Sequence, residues 1–214
     1  MKGVFYGVST GPGDPELMTV KAIRIIERCK VIAAPRTSGG RMLAYSIAAQ
    51  AADMTGKLVL PLDMPMTGDS GRLHSAWNAA ADSIEAHLAA GEDAAMLTIG
   101  DVSLYSTYSY IADRIAQRGY ECRMCAGVPS FCACAAAHGI PLVQGDEVLT
   151  VIPAYNEDIA GYLDRAGTKV IMKGAHAAVT VGEIYAAENC GLDGERLTRS
   201  IPPESGYFTT VIVK

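Results

Sequence analysis

The groups best suited to chemistry crowd into Leu97-Thr98-Ile99-Gly100-Asp101-Val102-Ser103-Leu104-Tyr105-Ser106-Thr107-Tyr108-Ser109-Tyr110, where one carboxylate stands among three tyrosines and three serines. Hydroxyls and a carboxylate can hold polar ligands and move protons. The apolar run Ala94 to Ile99 reads as a buried strand that stops at a Gly-Asp turn, with a hydroxyl-rich helix start behind it. The carboxyl end of a strand followed by a helix N-terminus leaves backbone N–H groups unpaired, and open α/β sheets hold ligands there. A capped surface helix whose tyrosines pack on a neighbour accounts for the same residues without any ligand.

A second candidate lies near the start. Val4 to Val8 reads as a buried strand running into Ser9-Thr10-Gly11-Pro12-Gly13-Asp14-Pro15, a layout shared with nucleotide sites. The dinucleotide fingerprint fails, because Glu16 stands where the third glycine is required, and Asp14 and Glu16 would repel a pyrophosphate. No phosphate-binding G-x-x-x-x-G-K-[ST] loop occurs. Three breakers beside an Asp still suit a tight turn that approaches a ligand or another backbone. A helix start, with Asp14 as N-cap and Pro15 at the first helical position, explains those two residues but not Gly11 or Gly13.

Cysteine and histidine offer less. Cys122-x-x-Cys125 and Cys132-x-Cys134 could be half of a zinc or redox site, but Cys29 and Cys190 stand alone and His138 is the only nearby imidazole. No metal site is expected, since zinc needs a second ligand pair at matching spacing. His74, His87, His138 and His176 show no i,i+4 pairing. Half of the residues are apolar and 19% are charged, which predicts a compact globular chain. A net charge of −5 argues against nucleic acid, which needs a basic surface. Six cysteines without a secretion signal at the start predict a reduced, cytoplasmic protein. Met124 to Gly145 is uncharged, but Gly127, Pro129, Gly139 and Pro141 break it, so a buried loop and helix is expected there and no membrane span.

These segments need a framework. Strands are expected at Val31 to Ala34, Leu58 to Leu60, Tyr120 to Cys125, Val148 to Pro153, Val170 to Met172, Ile184 to Ala187 and Gly206 to Val213, the last alternating like an edge or hairpin strand. Helices are expected behind the glycine loop, with Leu17, Val20, Ile23 and Ile26 on one face, over an Ala-rich stretch ending near Ala52, from Arg72 to Ala90, and from Phe131 to His138 capped by Ser130. Strands alternating with helices indicate a largely parallel sheet. The division is expected near Gly119 to Gly127, giving an N-terminal domain of residues 1–120 and a C-terminal domain of 121–214.

Three motifs in order, Gly11-Pro12-Gly13-Asp14-Pro15-Glu16-Leu17, Gly100-Asp101-x-Ser103-Leu104-Tyr105-Ser106-Thr107-Tyr108 and Gly127-Val128-Pro129-Ser130-Phe131, resemble the tetrapyrrole methyltransferases, the S-adenosylmethionine enzymes of cobalamin and sirohaem synthesis. Within that family Trp77 to Tyr110 looks most like the enzymes that methylate precorrin-2, or its cobalt complex, at C20. The resemblance implies two α/β domains with a cofactor cleft between them and a homodimer. It implies that Gly100, Asp101 and Leu104 line the methionine end of S-adenosylmethionine, that Ser130 and Phe131 meet it from the second domain, and that Met172 borders the adenine. Gly11, Pro12, Gly13 and Asp14 would face the tetrapyrrole. Asp101, Tyr105 or Tyr108 would assist proton loss after methyl transfer, and Arg36, Arg41, Arg72 and Lys173 are candidate partners for substrate carboxylates. The family usually has proline where this chain has Val102, a change expected to loosen the turn. Methylation at another position of the macrocycle, an unrelated nucleotide-dependent enzyme and a non-catalytic tetrapyrrole carrier are the competing possibilities.

Overall fold

The computed structural model describes residues 2–174, 182–201 and 206–214; His176 lies outside them. The chain divides into two compact units, Met1–Val128 and Pro129–Lys214.

In the first unit, β1 (Val4–Ser9), β2 (Val31–Arg36), β3 (Leu58–Asp63), β4 (Ala94–Thr98) and β5 (Glu121–Cys125) form a sheet in the order β3-β2-β4-β1-β5. Every pairing is parallel. The central strands β1 and β4 are almost wholly buried, as near-continuous apolar runs require when helices cover both faces. Because β5 pairs along β1, the first unit continues through it to Val128, past the division expected at residue 120.

Helices α1 (Val20–Arg28), α2 (Leu43–Ala51), α3 (Ser70–Ala89) and α4 (Tyr108–Gln117) connect the strands. The expected face of α1 is corrected: Ala22, Ile25 and Ile26 are its buried residues and Val20 is 62% exposed. The cause is a break in the chain. Pro15–Leu17 forms a separate 3-10 turn capped by the Asp14 carboxylate, and α1 restarts behind Thr19, whose hydroxyl accepts the Ala22 N–H. Leu17 is therefore not on the helix.

The helix start expected directly behind the Gly-Asp turn also moves, since α4 begins only at Tyr108. Tyr108 heads a core that includes Phe5, Ile84, Leu88, Met96, Val102, Ile111 and Ile115. Its ring centroid lies 5.0 Å from that of Phe5.

In the second unit, β6 (Leu149–Pro153), β7 (Thr168–Met172), β8 (Ile184–Glu188), β9 (Arg196–Thr198) and β10 (Thr209–Val213) run in the order β6-β7-β10-β8-β9. β6 and β7 are parallel and the other pairs antiparallel. The final strand is antiparallel as anticipated, but it is central rather than an edge, and all five of its residues are buried. The helix α5 (Ser130–Ala137) packs on β10 and β8. It buries Phe131, Ala133, Cys134 and Ala135 while Cys132 is exposed and Val143 beyond it is 37% exposed, so Met124 to Gly145 is only partly buried. The short helix α6 (Ile159–Leu163) and strand β9 carry weak signals and were not expected.

Candidate active site

At the carboxyl edge of the first sheet, the two glycine turns meet. The Gly100 N–H donates to the Gly11 carbonyl at 2.7 Å, and the Thr10 N–H donates to the Thr98 carbonyl at 2.8 Å. Gly11 and Gly100 have φ of +71° and +75°, values that glycine adopts without steric penalty. A Cβ on Gly11 would lie 3.1 Å from the Leu17 carbonyl oxygen. Gly100 differs: its residue is buried, yet a Cβ there would meet nothing within 4 Å. That leaves a notch against bare backbone where ligand atoms fit. Pro12 and Gly13 are buried beside it, and Asp14 caps the 3-10 turn through the Glu16 N–H at 2.8 Å.

The third motif reaches the same place through Asp101. Its Oδ2 accepts the Gly127 N–H at 2.7 Å, and its Oδ1 accepts both the Ser103 N–H and the Ser103 hydroxyl. Partial burial pushes the carboxyl pKa up, but the Ser103 hydroxyl and the Gly127 and Ser103 amides outweigh it and hold the pKa below the ordinary carboxylate value. Asp101 is thus an ionised clamp whose oxygens are engaged, which makes it a weak base. Gly127 has no room for a side chain, since a Cβ would fall 2.3 Å from Ser9 Cβ and 2.9 Å from the Gly100 carbonyl oxygen.

Val102 is tied into this turn. Its side chain is 1% exposed, and its N–H donates to Ser9 Oγ at 2.9 Å, a bond that proline lacks the hydrogen to make. Ser9 Oγ in turn donates to the Cys125 carbonyl at 2.7 Å.

The candidate tyrosines separate. Tyr108 is 1% exposed and its hydroxyl donates to the Arg123 carbonyl at 3.0 Å; burial raises its pKa. It is a core residue. Tyr105 is 41% exposed and sits at φ +50°, a left-handed conformation unusual for a bulky residue. Leu104 is half-buried, with its N–H donating to the Asp101 carbonyl at 3.1 Å.

The second unit assembles the other named residues around Thr210. Ser130 and Thr210 share a hydroxyl–hydroxyl bond of 2.8 Å, and Thr210 pairs with Met172 across β10 and β7. Ser130 does not cap α5. Pro129 holds the cap position, and Ser130 is the first helical residue with its side chain turned to β10. Phe131 is 7% exposed. Of the candidate cations, Arg36 forms an exposed ion pair with Asp63, Arg41 and Arg72 are exposed, and Lys173 has φ +67° with its Nζ 5.5 Å from the Tyr207 ring. No cluster of metal-ligating residues occurs among the described residues.

Sequence reasoning passed over Ser9 and Thr210, and it named Gly127 in a motif without giving it a role. A hydroxyl at the last position of an otherwise apolar strand was the available signal for Ser9. Thr210 carried none, because its partner is 80 residues away.

A sequence model of the Tetrapyrrole (Corrin/Porphyrin) Methylases matches residues 4–199. The cobalt-precorrin-2 C(20)-methyltransferase of Salmonella typhimurium is 35% identical over 178 residues, covering 81% of this chain and 73% of that protein. The precorrin-2 C(20)-methyltransferase of a Sinorhizobium species is 37% identical over 164 residues, covering 71% of this chain and 64% of that protein, just under two thirds of its length. Among solved structures, the uroporphyrin-III C-methyltransferase of Thermus thermophilus, complexed with S-adenosylhomocysteine, has a TM-score of 0.69 at 18% identity and covers 99% of this chain and 92% of that one.

Proposed function

The chain belongs to the tetrapyrrole methylases, and from that premise we propose that it methylates precorrin-2, or its cobalt complex, at C20 with S-adenosylmethionine in cobalamin biosynthesis. Relatives named for that reaction, one with cobalt in the substrate and one without, support it. The observation that carries the site is the meeting of Gly11, Gly100, Asp101 and Gly127 at one sheet edge, with open space over the Gly100 backbone.

S-adenosylmethionine, when bound, supplies a methyl group already activated as an electrophile. The protein's part is then to align the acceptor carbon and to exclude water. In the first unit the candidates for holding the cofactor are Gly100 and Asp101, through backbone groups held in place by the clamp, and Leu104, which offers an apolar side chain. In the second unit they are Ser130, Phe131 and Met172. Gly11, Pro12, Gly13 and Asp14 are assigned to the tetrapyrrole. Of the groups that could help the methylated carbon lose its proton, we assign Tyr105, because it is 41% exposed whereas Tyr108 is 1% exposed in the core, and Asp101 is an ionised carboxylate held below its ordinary pKa. We further infer a homodimer in the cytoplasm. Six free cysteines suit a reducing compartment, and no described helix is long and apolar enough to cross a membrane.

The test is incubation with methyl-labelled S-adenosylmethionine and either metal-free or cobalt-loaded precorrin-2, followed by NMR of the product. Label at C20 is expected, and the faster substrate identifies the pathway. Label at another carbon keeps the family and removes the C20 assignment. Absence of S-adenosylhomocysteine binding by calorimetry removes the methyltransferase and leaves a tetrapyrrole carrier.

A further inference from the structure

The last residue of β1 sits where three strands end together. Ser9 is 0% exposed, and its single hydroxyl makes two bonds in opposite senses. It donates to the carbonyl of Cys125, the final residue of β5, and accepts from the N–H of Val102, just past the Gly100-Asp101 turn that follows β4. A hydroxyl has one proton, so donation to Cys125 obliges Ser9 to act as acceptor toward Val102. Cys125 still belongs to β5 and pairs with Val8 of β1, whereas Val102 lies outside the strands, and its N–H would be a buried polar group in want of a partner without this side chain. Next to it, Thr10 binds the Thr98 carbonyl with both its N–H and its hydroxyl. The two residues lash the end of β1 to the segment that carries the turn. Ser9 also abuts Gly127, whose N–H is the one gripped by Asp101.

We propose that Ser9 is a positioning residue for the cofactor turn: through its relay from Cys125 to Val102 it sets the direction in which the Gly100–Val102 backbone is presented. The proposal rests on the methyltransferase assignment above. It has a distinctive consequence, because the Val102 N–H is the group that needs Ser9. A proline at position 102 has no such hydrogen and restricts its own backbone, so Ser9 and Val102 must be coupled.

The experiment is a double-mutant cycle of Ser9→Ala and Val102→Pro, read by calorimetry of S-adenosylhomocysteine binding, by KM and kcat with labelled S-adenosylmethionine, and by thermal unfolding. Ser9→Ala is expected to weaken binding and raise KM about tenfold, equivalent to ~1.4 kcal/mol, with kcat changed much less. The double variant is expected to regain most of that loss, since distant or independent changes would instead add within about 0.5 kcal/mol. Ser9→Cys, which keeps one proton on a single side-chain atom but is larger and a poorer acceptor, should fall between Ser9→Ala and the unmodified chain. The proposal is overturned if Ser9→Ala lowers only the unfolding temperature while affinity and KM hold, or if the two substitutions add. An unmodified chain that binds no S-adenosylhomocysteine overturns the methyltransferase assignment itself, a different result from a bound cofactor insensitive to Ser9.

Discussion

Tyr105 and Tyr108, three positions apart on one polar stretch, have opposite fates. The sequence offers both as proton carriers, and only burial separates them. Removing the Tyr108 hydroxyl deletes its bond to the Arg123 carbonyl, so Tyr108→Phe should lower stability by about 1 kcal/mol in urea unfolding and leave kcat near that of the unmodified chain. Tyr105→Phe should do the reverse, lowering kcat in the labelled-methyl assay without weakening S-adenosylhomocysteine binding. Asp101 makes a pH-dependent contribution. Its folded pKa lies below the ordinary value of 3.8, so its stabilisation is fully present above that value and is lost as pH falls through the lower folded one. Asp101→Asn should therefore weaken the protein at neutral pH and flatten this part of the acid-side decline in thermal midpoint, and an unchanged acid limb would show that the clamp does not hold. The place of this carboxylate in a Gly-Asp turn at a strand end was legible in the sequence. Its engagement by Gly127, 26 positions on, was not, because nothing local in the sequence records which amide a carboxylate will find.

At the level of elements, the strands of the first unit were legible because long apolar runs bounded by glycine and proline have few other homes. The phase of α1 was not, because Asp14 and Thr19 each cap a separate turn and the periodic pattern ran across the break. Strand β4 and helix α4 are joined by residues that fold back onto β1 rather than entering a helix at once, and Gly7 makes this possible. A Cβ there would lie 2.7 Å from both the Tyr108 ring and Val102 Cγ2. Gly7→Ala should overpack the core and cost about 1–3 kcal/mol, measured as a lower urea midpoint. Because Val102 directly follows the Gly100-Asp101 turn, to which we assign the cofactor, weaker S-adenosylhomocysteine binding should accompany the loss. Full stability in that variant would mean that the packing around Val102 and Tyr108 is looser than described.

For the whole molecule, the six cysteines decide between a redox framework and ordinary packing. All six are free. Burial pushes the thiols of Cys29, Cys122 and Cys190 up to about 11 and that of Cys134 up to about 12, while Cys132 is exposed. A thiol reagent at neutral pH should modify Cys132 first in the folded protein, as read by mass spectrometry, and added reductant should not move the unfolding temperature. The class of the fold, the family and the order of the motifs were readable along the chain, since these depend on composition, on local periodicity and on glycine turns whose backbone demands are local. The central place of β10, the turn of Ser130 to Thr210, the burial of Tyr108 and the interlocking of Ser9, Gly100, Asp101 and Gly127 emerge only once the chain is folded. Those outcomes depend on which strand lies beside which, and pairing across a sheet joins residues that the linear pattern leaves unconnected.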